Sequence, residues 1–206
     1  IFVAMSTKET YRQLCEQHPD IPLFMQAWWL DATQLPWDVI LFEHKNHIAG
    51  FYVYSYTKKW GKTLIVQPQL TQYAGPFLFY PESLKQEQRY SFQNKAYNYF
   101  IEQLEKRGFD FLEQNFHHSQ TYHQPFYWNK YQQTTRYTYL IENIANTQAI
   151  WEGMSPDKRI RHAKKLADKY SLSFDISPKE FYSFYQQCLQ KRVRKILYSY
   201  TTFEQL

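Results

Sequence analysis

Basic side chains in the C-terminal third of the chain have a spacing that suits anion binding. Lys158, Arg161 and Lys165 follow one another at intervals of three and four residues, which places them on one face of a predicted helix. Arg136 precedes this helix and Arg192 follows it. Because a guanidinium group offers a planar fork of hydrogen-bond donors and an ammonium group offers a compact positive charge, these five residues are candidates for holding a phosphate or carboxylate.

The net charge of +5 arises entirely in the same part of the sequence. Residues 1–143 contain 13 basic and 13 acidic side chains, whereas residues 144–206 contain 11 and 6. A surplus of this kind attracts anionic partners such as phosphates, carboxylates or nucleic acid. The alternative is an ordinary solvated helix face, with Arg136 paired to Glu142 or Glu113.

Other groupings of reactive side chains are weaker. His117, His118 and His123 are close in sequence, but adjacent histidines rarely aim at one ion, and no cysteine or carboxylate pair joins them, so we predict no metal site. No Ser-His-Asp or Cys-His arrangement stands out, and the sequence leaves the catalytic residues unassigned. Cys15 and Cys188 are too far apart to suggest a disulfide framework. We therefore expect a cytoplasmic protein, and no apolar run reaches the roughly 20 residues of a membrane span.

The elements that would position these groups begin with two helices, predicted over residues 7–18 and 23–34. From Trp37 the hydrophobic period changes to two, which predicts an antiparallel meander of three strands over residues 37–43, 48–57 and 62–67. Tyr52, Tyr54 and Tyr56 alternate on one face of the second strand. Residues 67–81 contain three prolines and a glycine, so we predict a long loop there.

The second half of the sequence predicts a long helix over residues 83–107 and strands over 109–116, 127–131 and 134–144. A short helix over 147–154 precedes the basic helix, which is capped by Ser155. A strand over 172–176 then leads into a helix opened by a capping box, Ser177 to Glu180, and a last helix begins near Tyr200. The wide apolar stripe of the capping-box helix needs more sheet than follows, so we expect this C-terminal unit to be incomplete.

This order of elements is similar to the core of GNAT N-acetyltransferases without its first strand. Three stretches make the resemblance more specific: Phe24-Met25-Gln26 with Trp29, then Arg136-Tyr137-Thr138-Tyr139, then Trp151 through Lys165. Together they resemble the FemAB-like branch of the GNAT superfamily, particularly its short members from Bacteroidetes-type bacteria. The resemblance implies an α+β fold with a mixed, mainly antiparallel sheet flanked by helices. It also implies a first GNAT-like domain over residues 5–144 and the beginning of a second, incomplete one over 145–206.

The activity that the resemblance implies is transfer of an acyl or aminoacyl group to an amine, with acyl-CoA or aminoacyl-tRNA as donor and no tightly bound cofactor. A small molecule or a cell-wall precursor is the implied acceptor, and Gln26, Trp29, Tyr73 and Tyr139 are candidates for the acceptor groove. The resemblance leaves open whether a chain truncated within the second domain is active or inactive. The alternative is a non-enzymatic module whose basic C-terminal surface binds RNA or another anion.

Two departures from the family pattern qualify this expectation. The pyrophosphate loop of acyl-CoA enzymes reads Gln/Arg-x-x-Gly-x-Gly/Ala, whereas Pro76 and Phe77 follow Gly75 here, which predicts a degenerate loop that does not bind CoA. Precursor-binding members also carry a lysine about one turn after the tryptophan motif. Residues 31–34 of this chain contain none, and the cell-wall precursor is correspondingly in doubt.

Overall fold

The computed structural model describes residues 6–81, 84–158, 165–167 and 169–206. The chain divides into two units. One contains the described residues up to Gln132 together with Tyr182–Leu206, and the other is Gln133–Phe181. The domain boundary predicted at residue 144 stays a prediction.

The first unit begins with two helices that pack on the same face of the sheet. Helix α1 spans Thr7–Gln17 and begins at Ser6, whose Oγ accepts a hydrogen bond from the Glu9 N–H. A 3₁₀ turn, Leu23–Met25, leads into helix α2, Ala27–Ala32. The second predicted helix is therefore broken at Gln26, whose backbone is extended.

The sheet confirms the predicted antiparallel meander. Strands β1 (Trp37–His44), β2 (His47–Lys59) and β3 (Lys62–Val66) pair in sequence. The prediction that residues 67–81 form only a loop was wrong, because Gly75–Leu78 forms strand β4, antiparallel to the first half of β2. Strand β5, Phe111–Leu112, lies parallel to β3, and the fold is α+β with a mixed, mostly antiparallel sheet.

Helix α3, Gln86–Lys106, crosses between these strands and covers the other face of the sheet. Its buried stripe packs against the tyrosines of β2: Tyr52 and Tyr54 are at most 1% exposed and Phe100 is fully buried. The opposite face of the same strand, Phe51 and Val53, packs on α1 and the α2 region. Strand alternation thus gives each face its own hydrophobic core, as the period of two predicts.

Three predicted strands are absent from the structure. Residues 127–131 were predicted as a strand, but helix α4 spans Gln124–Trp128, because Pro125 stands at its first turn and Phe126 is buried on the α3 side. Residues 134–144 and 172–176 have no regular structure. Tyr137 is 94% and Tyr139 100% exposed, and the strand predicted over residues 134–144 does not form. Strand propensity alone does not form a strand without a paired edge.

The remaining helices agree better with the sequence. Their bounds are α5 Thr147–Gly153, α6 Lys165–Ala167, α7 Pro178–Gln190 and α8 Tyr200–Gln205. The predicted capping box of α7 is confirmed, since the Glu180 carboxylate accepts hydrogen bonds from the Ser177 N–H and Oγ–H. Ser155 Oγ accepts the Lys158 N–H at 3.4 Å, as expected of the cap of the basic helix. Much of the predicted basic helix, residues 159–164 and 168, lies outside the described residues.

Candidate functional site

The loop between β3 and β4 is tied to the segment that follows β5. The Gln67 side chain donates to the Thr71 carbonyl at 3.0 Å and accepts the Asn115 N–H at 3.2 Å. The Ala74 N–H donates to the Asn115 carbonyl at 2.8 Å. At Gly75, φ is +97° and a Cβ would lie 2.7 Å from the Phe116 ring, so this position requires glycine. The loop is a packed part of the core rim.

This packing leaves no phosphate cradle at the degenerate motif. A cradle needs several free backbone N–H groups at the start of a helix. Here the Ala74 N–H is used by Asn115, Pro76 has no N–H, and residues from Gly75 onward pair with β2. Helix α3 begins only at Gln86. The glycine of the motif therefore serves a close approach to Phe116.

An aromatic cluster stands beside this loop and consists of Phe24, Trp28, Trp29, Tyr73 and His117. The Phe24 ring meets Trp29 and Tyr73 edge to face, each with centroids 4.8 Å apart. Trp28 lies 5.6 Å from Trp29, and Tyr73 lies 4.6 Å from His117. Edge-to-face contacts at these separations are favourable and hold the rings in a fixed arrangement.

The backbone elements and two polar contacts explain why the cluster is ordered and yet accessible. Adjacent residues on a helix point in different directions, so Trp28 is 51% exposed while Trp29 is half-buried. The Trp29 indole N–H donates to Thr71 Oγ1 at 3.1 Å, which joins α2 to the β3–β4 loop. Phe24, Tyr73 and His117 are each partly buried. The cluster offers ring edges and faces to a ligand from a rigid base.

A groove of about 580 Å³ adjoins the cluster on the α1 side. Its walls include Cys15, Ile21, Leu23, Gln26 and Trp28, so Trp28 belongs to both features. The buried Gln26 amide donates to the Ile21 carbonyl at 2.7 Å, which holds its side chain in place. The groove is mainly apolar, with the Gln26 amide and the charged side chains of Arg12 and Glu16 also in its wall, which suits a ligand that has an apolar body and a few polar groups.

The electrostatics of this region are mild. Arg12 pairs with Asp31, and the pKa of Asp31 is lowered, first by the hydrogen bond from Arg12. Burial raises the pKa of Tyr73. Burial, with a smaller contribution from His118, lowers the pKa of His117 to about 4, so that its imidazole is neutral at pH 7. The cluster therefore presents neutral side chains to a ligand.

The structure brings together three of the four predicted acceptor-groove residues. Trp29 and Tyr73 are joined through Phe24, and Gln26 lies in the wall of the adjoining groove. The fourth, Tyr139, lies in the unit Gln133–Phe181. Sequence reasoning missed Phe24 and His117 as members of the cluster. His117 was considered only as a metal ligand, although its place just after a short strand near the loop was a usable signal.

The predicted anion-binding residues are distributed over both units. Arg136, Lys158 and Lys165 lie in the unit Gln133–Phe181, and each is exposed. Arg192 follows α7 in the other unit and is exposed as well. Arg161 lies outside the described residues. Their role in binding an anion stays a prediction.

Comparisons with known proteins give no match. No protein-family model, curated protein or solved structure matches this sequence. Within the described ranges, no cluster of three or more His, Cys, Asp or Glu side chains could hold a metal ion. No helix in the part of the chain that the structure describes is long and apolar enough to cross a membrane.

Proposed function

We propose that this protein is an N-acyltransferase of the GNAT/FemAB-like type and that the aromatic cluster with its adjoining groove holds the amine acceptor. The observation that carries the proposal is the position of the cluster. Trp29 of the family-like motif is joined to Tyr73 of the β3–β4 loop through Phe24, and Gln26 of the same motif lines the adjoining groove. The order of two helices, an antiparallel meander, a crossover helix and a parallel strand supports the same assignment.

The geometry of the β3–β4 loop favours aminoacyl-tRNA over acyl-CoA as donor. Acyl-CoA enzymes of this type bind pyrophosphate through free N–H groups at a helix start, and this loop has none to offer between Ala74 and Phe77. Exposed cations at Arg136, Lys158 and Lys165 suit a polyanionic donor instead.

The reaction itself needs little acid–base machinery. The acceptor nitrogen attacks the ester carbonyl of the donor, a C–N bond forms, and the C–O bond to the ribose breaks while the amine proton passes to the leaving oxygen. Holding both reactants in an attacking geometry supplies a large part of the rate in such a step. The neutral, ordered side chains around Trp29 and Tyr73 fit a positioning role.

Titrations with donors test this function. Binding of acetyl-CoA, aminoacyl-tRNA and deacylated tRNA is measured by tryptophan fluorescence at low salt, because Trp28 and Trp29 report on the cluster. We expect aminoacyl-tRNA to bind more tightly than deacylated tRNA and acetyl-CoA not to bind. Binding of neither donor would refute the proposal, and tight acetyl-CoA binding would refute the choice of donor.

A second candidate function is RNA binding without catalysis, and one observation favours it. Tyr137 and Tyr139 are almost fully exposed and follow closely after the exposed Arg136 in the chain. Exposed aromatic rings interleaved with cations are typical of single-stranded RNA binding, where bases stack on the rings. Equal affinity for acylated and deacylated tRNA, lost in Tyr139→Ala and retained in Trp29→Ala, would select this function over acyl transfer.

A further inference from the structure

A directional chain of hydrogen bonds runs from the core of the first unit to His117. The hydroxyl of Tyr97, a buried residue of α3, donates to Gln120 Oε1. The Gln120 amide donates to Ser119 Oγ at 2.9 Å, and Ser119 Oγ lies 2.8 Å from His117 Nδ1. The direction of each bond follows from the buried end. The Tyr97 hydroxyl donates to Gln120 Oε1, which turns the Gln120 amide nitrogen toward Ser119 as a donor.

The same chain fixes the tautomer of His117. Nδ1 accepts the Ser119 N–H at 3.3 Å, so it cannot carry a proton while that bond exists. Since Ser119 Oγ accepts from Gln120, its own proton is available for Nδ1 as well. A neutral imidazole with an unprotonated Nδ1 must carry its proton on Nε2.

The Nε2 atom is the end of the chain that is left for a ligand. It makes no hydrogen bond with any residue that the structure describes, and the His117 side chain is only partly buried. The ring packs edge to face on Tyr73 inside the aromatic cluster. The titratable groups that face it are Tyr73 and His118, and both adjoin it through ring contacts.

We propose that His117 is a ligand-binding residue that donates its Nε2–H to the acyl carbonyl oxygen of the donor, beside the amine acceptor held at the aromatic cluster. A neutral N–H donor in a partly desolvated site can stabilise negative charge as it develops on that oxygen during acyl transfer. This role rests on the proposed function and assigns to the site a ligand with a carbonyl beside an apolar or aromatic body.

The tautomer is testable in the free protein by nitrogen-15 NMR of the histidine ring. We expect His117 to remain neutral, with its proton on Nε2, from pH 7.5 down to about pH 5. Ser119→Ala and Gln120→Ala disturb the Oγ contact to Nδ1 but keep the Ser119 N–H, so the Nδ1–H tautomer should rise measurably and stay the minor form, whereas Ser91→Ala, which removes an exposed hydroxyl of α3, should change nothing. A mixed tautomer in the wild type, or titration near the ordinary value of about 6.5, would overturn the proposal.

The ligand role is testable with puromycin, which carries a carbonyl group between a base and an aromatic side chain. Its addition should move the His117 Nε2–H resonance, and His117→Phe, which keeps the ring packing on Tyr73, should weaken binding about 5-fold, the value of one neutral hydrogen bond. Unchanged affinity in His117→Phe, or no puromycin effect on His117 at millimolar concentration, would overturn this role. Puromycin binding at His117 without acyl transfer would leave the site in place and refute only the proposed function.

Discussion

Replacing Gly75 by alanine tests the packing of the β3–β4 loop against Phe116 directly. A phosphate-binding glycine would be exposed, and its replacement would weaken ligand binding while leaving the fold intact. The structure instead places Gly75 at a φ of +97°, where an added Cβ would meet the Phe116 ring. We therefore expect Gly75→Ala to reduce the stability of the whole unit.

Two contributions set the magnitude. An alanine held in this region of φ costs about 1 to 3 kcal/mol of backbone strain. The added Cβ would lie 2.7 Å and 2.8 Å from two atoms of the Phe116 ring, closer than van der Waals contact allows, and overpacking of this kind costs about 1 to 3 kcal/mol. Phe116 packs on Tyr52 and Phe126, so the ring cannot move without disturbing the α3 face. The free energy of unfolding should fall by about 2 to 6 kcal/mol.

Gly61→Ala is the matched control. Gly61 also has positive φ, +73°, but a Cβ there would meet no atom within 4 Å. This variant should show the backbone cost alone, about 1 to 3 kcal/mol as at Gly75. Urea denaturation followed by circular dichroism measures both variants, and the difference between them gives the cost of the Phe116 contact. Equal destabilisation of the two variants would refute the packing proposed for Gly75.

Three further changes test other contacts of the first unit. Tyr11→Phe removes a donor to the buried Met25 carbonyl and should cost about 1 to 2 kcal/mol in urea denaturation; no loss would contradict that hydrogen bond. Arg12→Ala should cost less than about 1 kcal/mol, since both partners of the pair are over a third exposed. Because the pKa of Asp31 is lowered in the folded protein, its ionised carboxylate stabilises the fold above about pH 4, and this contribution is lost as pH falls through the folded pKa. The loss should be smaller in Arg12→Ala. His117 has a pKa of about 4 in the folded protein against about 6.5 in the unfolded chain, so unfolding takes up a proton between these pH values and the free energy of unfolding falls as pH drops. His117→Asn should therefore reduce the difference in stability between pH 7.5 and pH 5. An unchanged difference would contradict the lowered pKa.

The parts of the fold that the sequence predicted well are those whose signals are local. The turn at Lys45-Asn46 has both residues at positive φ, and the period-two pattern on either side predicts β1 and β2 with the correct faces. Cap residues such as Ser177 and Glu180 specify a helix start without help from distant contacts. These features depend on a few neighbouring residues, and a sequence displays them directly.

The missed elements depend on distant partners. Strand β4 contains a proline and follows a region rich in breakers, yet it forms because the first half of β2 has an open edge beside Phe51 and Gly50. The reverse error occurred at residues 134–144, where strand-forming side chains have no paired edge and stay exposed. Pairing of this kind is decided by the whole sheet, and a single sequence does not show which edge is available.

The candidate site was predictable in part for the same reason. Trp29 and Tyr73 were identified because each lies in a recognisable stretch of sequence. Their connection through Phe24, and the link from His117 through Ser119 to Gln120, arise only when the β3–β4 loop folds against the residues after β5. Chemistry that depends on such a juxtaposition becomes visible only in the structure.

Acyl transfer itself is the measurement that tests the proposed function most directly. The full chain is incubated with tRNA charged with radiolabelled amino acids and, separately, with radiolabelled acetyl-CoA, together with a panel of amine acceptors that includes amino acids, amino sugars and lysine peptides. We predict label transfer from aminoacyl-tRNA to at least one acceptor, with a loss of 10-fold or more in Trp29→Ala and little change in Trp60→Ala, where an 86% exposed ring lies in the β2–β3 turn. Absence of transfer from either donor, in a folded protein that binds tRNA, would contradict the assignment.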